Sequence, residues 1–208
     1  YEIVSRDWSS DVCSSDLLVA RKKGVISGID MASLVFLSIN SKIEINQKVK
    51  DGNEVEEKQC LLTAKGRTID LLTAERTALN FLSHLSGIAT LTSKFVLAVK
   101  PHPVKILATR KTLPGLRDLQ LRAVVSGGGC VHRRNLSDGI LIKENHQMFL
   151  DPETILASAQ KDRSPLHRVE IEVQDFNILT TVLENPPDVI MLDNFSDEEL
   201  PLAIRQIK

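Results

Sequence analysis

From Val104 onward, short apolar runs alternate with segments of helical period, and no other feature of this chain restricts its possible folds as strongly. The apolar runs fall at 104–108, 124–126, 139–143, 168–173 and 189–192, and helix-like segments at 151–160 and 177–184 lie between the later ones. Such alternation predicts parallel strands joined by helices, an α/β arrangement. With 208 residues, 42% of them apolar, the chain can bury a real core as one domain or two small ones.

In parallel α/β folds, functional side chains collect where strands end and loops begin. Thr109, Arg110 and Lys111 follow the first run, Lys143 ends a later one, Glu172 lies on the next and Asp193 closes the last. These groups are predicted to converge on one mouth, with Arg and Lys holding a polyanion beside a pair of carboxylates.

The formal net charge of −1 hides an asymmetry. The stretch from Lys105 to Lys143 holds eight Lys or Arg against Asp118 and Asp138, whereas from His146 onward twelve Asp or Glu face five Lys or Arg. The basic stretch is broken by Gly115, Gly127, Gly128, Gly129 and Gly139 and has no base-stacking aromatic residue, so a pocket is favoured over a nucleic-acid groove. Apolar runs such as 33–39 and 190–192 fall far short of the roughly 20 residues of a membrane span. Cys13, Cys60 and Cys130 form neither a disulfide framework nor a metal pair, and with no signal peptide in view the default compartment is the cytoplasm.

Residues 1–16 are polar and Ser/Asp-repetitive and show no strand or helical period. They read as a non-native or disordered tail without function. Residues 17–72 read as a β-rich amino-terminal subdomain, punctuated by Gly24, Gly28, Asp51-Gly52 and Gly66. The 49–62 segment resembles the barrel-sandwich folds of biotinyl and lipoyl carriers, but no Met-Lys-Met sits in its hairpin. From Thr73 the period turns helical through Leu79, Leu82, Leu85 and Ile88, and a second helical segment through Leu91, Phe95 and Val99 is expected to end at Pro101. Residues 73–208 then form the α/β part.

Five motifs, AERTALNFLSHLSGIAT, TRKTLPGLR, SGGGCVHRRNLSDGILIKENH, VEIEVQ and DVIMLDNFS, stand in order along the chain. Together they resemble the quinolinate phosphoribosyltransferase family over about residues 17–200. The resemblance implies a β-rich amino-terminal subdomain followed by an α/β barrel of parallel strands. It also implies an enzyme of NAD biosynthesis that joins quinolinate to phosphoribosyl pyrophosphate and releases pyrophosphate and carbon dioxide, forming nicotinate mononucleotide. On this resemblance Arg110, His132 and Arg133 clamp the quinolinate carboxylates beside Thr109, and Arg76 is supplied by the neighbouring subunit of a homodimer. Lys111 and Lys143 lie by the pyrophosphate and the reacting centre. Glu172 and Asp193 hold the ribose hydroxyls and the Mg2+ that accompanies pyrophosphate.

Each residue also has a plainer reading. Arg117, Arg122 and Arg134 read as solvated surface cations, His132 alone as a structural histidine, and Asp193, Asn194 or Ser196 as a helix cap. Glu170 shares a strand face with Glu172, and the triple glycine reads as room for close backbone approach rather than a phosphate loop. Asn145 and His146 read as support for the loop after the strand at Lys143. Ala108 and Val131 depart from the family pattern, which has an acidic residue and an Asn there. The family continues beyond Asp193 with further strands carrying a phosphate loop, so the expectation is a barrel lacking strands, with exposed edges and impaired activity. Two rivals are a related phosphoribosyltransferase-like protein of metal-cofactor operons and a non-enzymatic interaction domain.

Overall fold

The computed structural model describes residues 4–8 and 15–208, with side chains from Leu17 onward. The chain divides into two compact units, Tyr1–His132 and Arg133–Lys208.

The first unit runs β1 (Val4–Trp8), β2 (Ser15–Ala20), β3 (Gly24–Val25), α1 (Ile29–Ile39), β4 (Glu44–Gln47), β5 (Glu54–Val55), β6 (Cys60–Lys65), α2 (Thr68–Ala98), β7 (Leu107–Ala108), α3 (Arg117–Ser126) and β8 (Cys130–Val131). An antiparallel sheet has the order β1-β2-β6-β4, β3 pairs with β5, and β7 pairs in parallel with β8. The tail expected at residues 1–16 lies largely outside the described residues, but Val4–Trp8 within it is a strand, with Arg6 opposite Leu18. Its backbone groups are satisfied by the ladder with β2, which needs no hydrophobic period.

Helix α1 interrupts the segment that the sequence gives as strands and turns. Ile29, Ala32, Ser33 and Phe36 are buried on one side of it, the i, i+3, i+4, i+7 spacing of a core-facing stripe. Its start carries no local cap. Gly28 sits at φ 91, and the Ile29 amide donates to the Asp51 carboxylate at 3.0 Å. A cap brought from a distant turn leaves no signal beside the helix.

The two helical segments expected on either side of Leu91 are one helix, α2, beginning at Thr68 rather than near Thr73. Its buried positions include Leu71, Ala74, Ala78, Leu82, Leu85, Ala89 and Thr92, so the inward stripe is built as much from small residues as from leucines. Small residues let backbones approach: a Cβ on Gly28 would lie 2.6 Å from Leu85 Cδ1, and one on Gly127 only 2.3 Å from the Ala89 carbonyl oxygen. Helix α2 is long and apolar enough to cross a membrane by length and composition alone, but its Leu71, Ala74, Ala78, Leu79 and Leu82 are buried in the core with Phe36, Leu61 and Leu62.

The expected strand at 124–126 is instead the last turn of α3. The helix closes on the triple glycine: Gly127, Gly128 and Gly129 amides donate to the carbonyls of Ala123, Val125 and Val124, with Gly128 at φ 87. That is a helix C-terminus of the glycine type, and the strand begins only at Cys130.

The second unit runs β9 (Ile140–Ile142), α4 (Glu144–Gln147), α5 (Pro152–Asp162), β10 (Val169–Val173), α6 (Phe176–Glu184), β11 (Val189–Leu192) and α7 (Leu200–Ile207). Its strands are parallel in the order β11-β10-β9, as the alternation predicts. Asp151 and Asp175 cap α5 and α6 by accepting from the Thr154 and Ile178 amides, both at 2.8 Å. Ile142, Val169, Ile171, Val173, Leu156, Leu179 and Val182 form the core.

Asp188 ties the start of β11 to β10. Its amide donates to the Val169 carbonyl at 3.1 Å, and its carboxylate accepts from the Val169 amide at 2.8 Å and from Arg163. The Val169 amide first, and then the Arg163 charge, hold the Asp188 carboxyl below its ordinary pKa against the opposing effect of desolvation. A depressed folded-state pKa contributes stability that is fully present above the unfolded value and is lost as pH falls through the folded one. Asp188→Ala leaves the buried Val169 amide without its acceptor and is expected to cost about 1–3 kcal/mol at neutral pH. Urea titrations at about pH 7 and about pH 3 should show the difference shrinking in acid; an equal difference at both would remove Asp188 from this role.

Candidate active site

The alternation along β10 sorts its side chains into two faces. Val169, Ile171 and Val173 enter the core with Ile142, Leu179 and Val182, whereas Glu170 and Glu172 point the other way and are buried as well. Glu172 pairs with Met191 of β11, and Asp193 lies two residues beyond Met191. Glu170 pairs with Leu141 of β9, and Lys143 lies two residues beyond Leu141. Parity therefore places Lys143, Glu172 and Asp193 on one face at the carboxyl ends of three neighbouring strands.

Lys143 donates its ammonium to Glu172 Oε1 at 2.5 Å. The lysine side chain is 43% exposed and the glutamate 9%, so the carboxylate is fixed while the ammonium remains reachable. Two further bonds hold this pair. Gln147 donates to the Glu172 carbonyl at 2.8 Å, and the Lys143 amide donates to His146 Nδ1 at 2.9 Å. His146 supports the loop as expected, whereas Gln147 had no signal in the sequence. Lys143 pairs with Glu172, and Glu170 lies two residues back on the same face of the strand.

Asp193 is half-buried, with its amide bonded to the Val173 carbonyl and its carboxylate accepting from Asn194 at 3.2 Å. Of the three cap candidates it is Ser196 that caps, in the turn leading into α7: Ser196 Oγ accepts from the Glu199 amide, and Glu199 accepts from the Ser196 amide. This reciprocal pair is a capping box. Arg133 is half-buried and donates to the Gly139 carbonyl at 3.3 Å, just ahead of β9.

In the first unit Ala108 is the Cα partner of Val131, so Thr109 and His132 leave adjacent parallel strands side by side. His132 is half-buried. Thr109 Oγ1 accepts from the Lys111 amide at 3.2 Å, and Lys111 is exposed. Arg110 has the most informative environment. Its Nε is buried and meets no hydrogen-bond partner among the described residues, although such a donor ordinarily has one. Arg76 lies on the exposed side of α2, away from its buried stripe.

Arg117, read as solvated, is half-buried against the Arg110 loop. It donates to Thr112 Oγ1 at 3.2 Å and to the Arg110 carbonyl at 3.4 Å. Pro114 followed by Gly115 at φ 76, with the Leu116 amide bonded to the Leu113 carbonyl, makes the turn that carries the chain back to Arg117. Arg122 and Arg134 are exposed.

Two family models match this chain: the quinolinate phosphoribosyl transferase N-terminal domain over residues 16–86 and the C-terminal domain over residues 88–208. The chain belongs to the quinolinate phosphoribosyl transferase family. It is 40% identical over 191 residues to the nicotinate-nucleotide pyrophosphorylase [carboxylating] of Mycobacterium leprae, covering 91% of this chain and 67% of that protein. A probable enzyme of the same name from Methanocaldococcus jannaschii is 38% identical, with 94% and 69% covered. Among solved structures, the nicotinate-nucleotide pyrophosphorylase from Francisella tularensis superposes with a TM-score of 0.88 at 36% identity, and NadC from Streptococcus pyogenes with 0.85 at 36%. Each covers 95% of this chain and 71% of the solved chain. The chain thus spans about two thirds of these relatives' length.

The two quinolinate phosphoribosyl transferase domain matches meet inside α2, next to Gly87. The compact units part later, after His132. A single helix, α2, belongs to both matched domains and carries the first unit past the boundary between them.

Proposed function

We propose that this chain carries the phosphoribosyl transfer and decarboxylation of a nicotinate-nucleotide pyrophosphorylase: quinolinate and phosphoribosyl pyrophosphate give nicotinate mononucleotide, pyrophosphate and carbon dioxide. The observation that carries the reading is the buried Arg110 Nε without an acceptor, on a strand-end loop beside His132, in a family whose relatives bear that enzyme's name. A carboxylate is the acceptor such a guanidinium suits.

In this reading Arg110 and His132, with Arg133 and Thr109, take the quinolinate carboxylates. The ring nitrogen attacks the anomeric carbon as its bond to pyrophosphate breaks. Positive charge grows on the sugar and negative charge on the leaving group, so Glu172 and Asp193 stabilise the first while Lys111 and Lys143 stabilise the second. The new pyridinium then accepts the electron pair released when the 2-carboxylate leaves as carbon dioxide, and the ring carbon takes up a proton. Arg76 reaches the substrate from a second copy of the chain in a homodimer, and the reaction runs in the cytoplasm.

No group of three or more metal-binding side chains occurs among the described residues. Mg2+ needs none, because it keeps several waters and takes one or two carboxylates together with substrate phosphates. Glu172 and Asp193 would hold it together with the substrate phosphates, and it would supply charge neutralisation on pyrophosphate.

Calorimetric titration with quinolinate, and with nicotinate, which lacks the 2-carboxylate, tests the reading. Quinolinate should bind about ten- to a hundredfold more tightly, the worth of one charge-assisted contact of roughly 1.5–3 kcal/mol. Arg110→Ala should erase most of that preference. Equal affinity for the two ligands in the parent chain would overturn the dicarboxylate assignment.

A further inference from the structure

The loop after β7 is gripped at two points. Arg117 holds the Arg110 carbonyl and the Thr112 hydroxyl, and at the far end the Leu113 amide donates to Gln120 Oε1 at 2.9 Å. Gln120 also lies 2.8 Å from His84, its Nε2 facing the ring Nε2. The direction of this chain follows from donor and acceptor capacity. The Leu113 amide can only donate, so Gln120 turns its oxygen toward Leu113 and its NH2 toward His84. An amide NH2 only donates, so His84 accepts at Nε2 and carries its proton on Nδ1.

An imidazolium has no lone pair with which to accept. Protonating His84 therefore sets donor against donor, and flipping the Gln120 amide to relieve that contact sets its NH2 against the Leu113 amide. No orientation of Gln120 satisfies both neighbours once His84 is charged.

We propose that Gln120 is a positioning residue for the loop bearing Arg110 and Lys111, and that its grip is released when His84 takes up a proton. His84 lines a groove of about 780 Å³ with Lys22, Lys23 and Lys94, and no carboxylate lines it. Lys23 pairs with Glu56. From α3, which brings Gln120, the charged residues are Arg117, turned to the loop, and the exposed Asp118 and Arg122.

The test has one readout that needs no substrate. Amide exchange at Leu113, corrected for intrinsic rate, is followed by NMR in the whole chain at about pH 5.5 and about pH 8. Protection should fall roughly two- to tenfold in acid, the worth of one hydrogen bond. His84→Asn keeps a neutral acceptor and should be insensitive to pH. Gln120→Glu accepts from both Leu113 and a charged His84, so its protection should hold or rise in acid. Parent chain and His84→Asn responding alike, or Gln120→Ala leaving Leu113 as protected as before, would overturn the proposal.

The consequence for binding rests on the quinolinate reading of Arg110. Gln120→Ala should weaken quinolinate binding roughly two- to tenfold at pH 8, with Gln120→Glu restoring it at pH 5.5. Loss of Leu113 protection with unchanged quinolinate affinity would show that Gln120 does not position the site. A parent chain that binds no quinolinate counts against that reading of Arg110, while the exchange data still decide the coupling of His84 to the loop.

Discussion

Lys143→Ala is expected to lower kcat for phosphoribosyl transfer by about a hundred- to a thousandfold, the range found when a preorganised donor to developing charge is removed. The lysine is suited to that task by its asymmetric surroundings. Its ammonium is held by Glu172 at 2.5 Å yet stays 43% exposed, so two of its three donors remain for an incoming phosphate. The backbone beneath it is fixed by His146, and the partner carboxylate's strand is fixed by Gln147. Loss of the ion pair itself should cost little stability, on the order of 1 kcal/mol, because the exposed partner is screened by solvent. The pair of measurements is therefore turnover with quinolinate, phosphoribosyl pyrophosphate and magnesium, and thermal unfolding of the same variant. A kcat within tenfold of the parent's would remove Lys143 from the chemistry. A collapse of stability matching the loss of activity would make its role structural.

Gly127→Ala should destabilise the first unit by about 3 kcal/mol, at the upper end of ordinary overpacking. The added Cβ would meet the Ala89 carbonyl oxygen at 2.3 Å and Thr92 Cβ at 2.7 Å. Both belong to α2, and a helix backbone cannot give way as a side chain does. The end of α3 must retreat, and β8 with His132 follows it. For a chain of this length the expected fall in Tm is roughly 6–12 °C. Gly87→Ala is the matched control, because nothing lies within 4 Å of a Cβ there. In mid-helix that change should be neutral or stabilising by up to about 1 kcal/mol. Equal melting of the Gly127 variant and the parent would mean that the close approach of α3 to α2 is not what the glycine serves.

The second unit was more legible in the sequence than the first, and the reason lies in where each element's signals come from. The strands at 140–142 and 189–192 are apolar runs, the one at 169–173 alternates β-branched residues with Glu170 and Glu172, and α5 and α6 begin at aspartates that cap them locally. Helix α1 is capped by Asp51 from another turn, so its start carries no mark. Helix α2 looked like two pieces because its inward stripe alternates leucine with alanine, and a search for large apolar residues skips the alanines. Val124 and Val125 have strand propensity, yet they finish a helix because the glycines after them close it. Lys143 and Glu172 could be picked out because charged residues at the ends of apolar runs are conspicuous, and the structure brings this pair together. Gln147, Gln120 and Arg117 could not, since amides and a lone arginine have no spacing rule that ties them to a distant backbone group.

The two faces of β10 also limit how this protein can change. A strand has only two sides, and moving its register by one residue exchanges them. One inserted or deleted residue between Val169 and Val173 would turn Glu170 and Glu172 into the helix layer and Ile171 toward the side where Glu172 meets Lys143. The hydrophobic core and the Lys143–Glu172 pair would be lost together. Substitutions can be accommodated here one face at a time, but length cannot drift. A gap at this place in an alignment of relatives would mark a protein that had given up both.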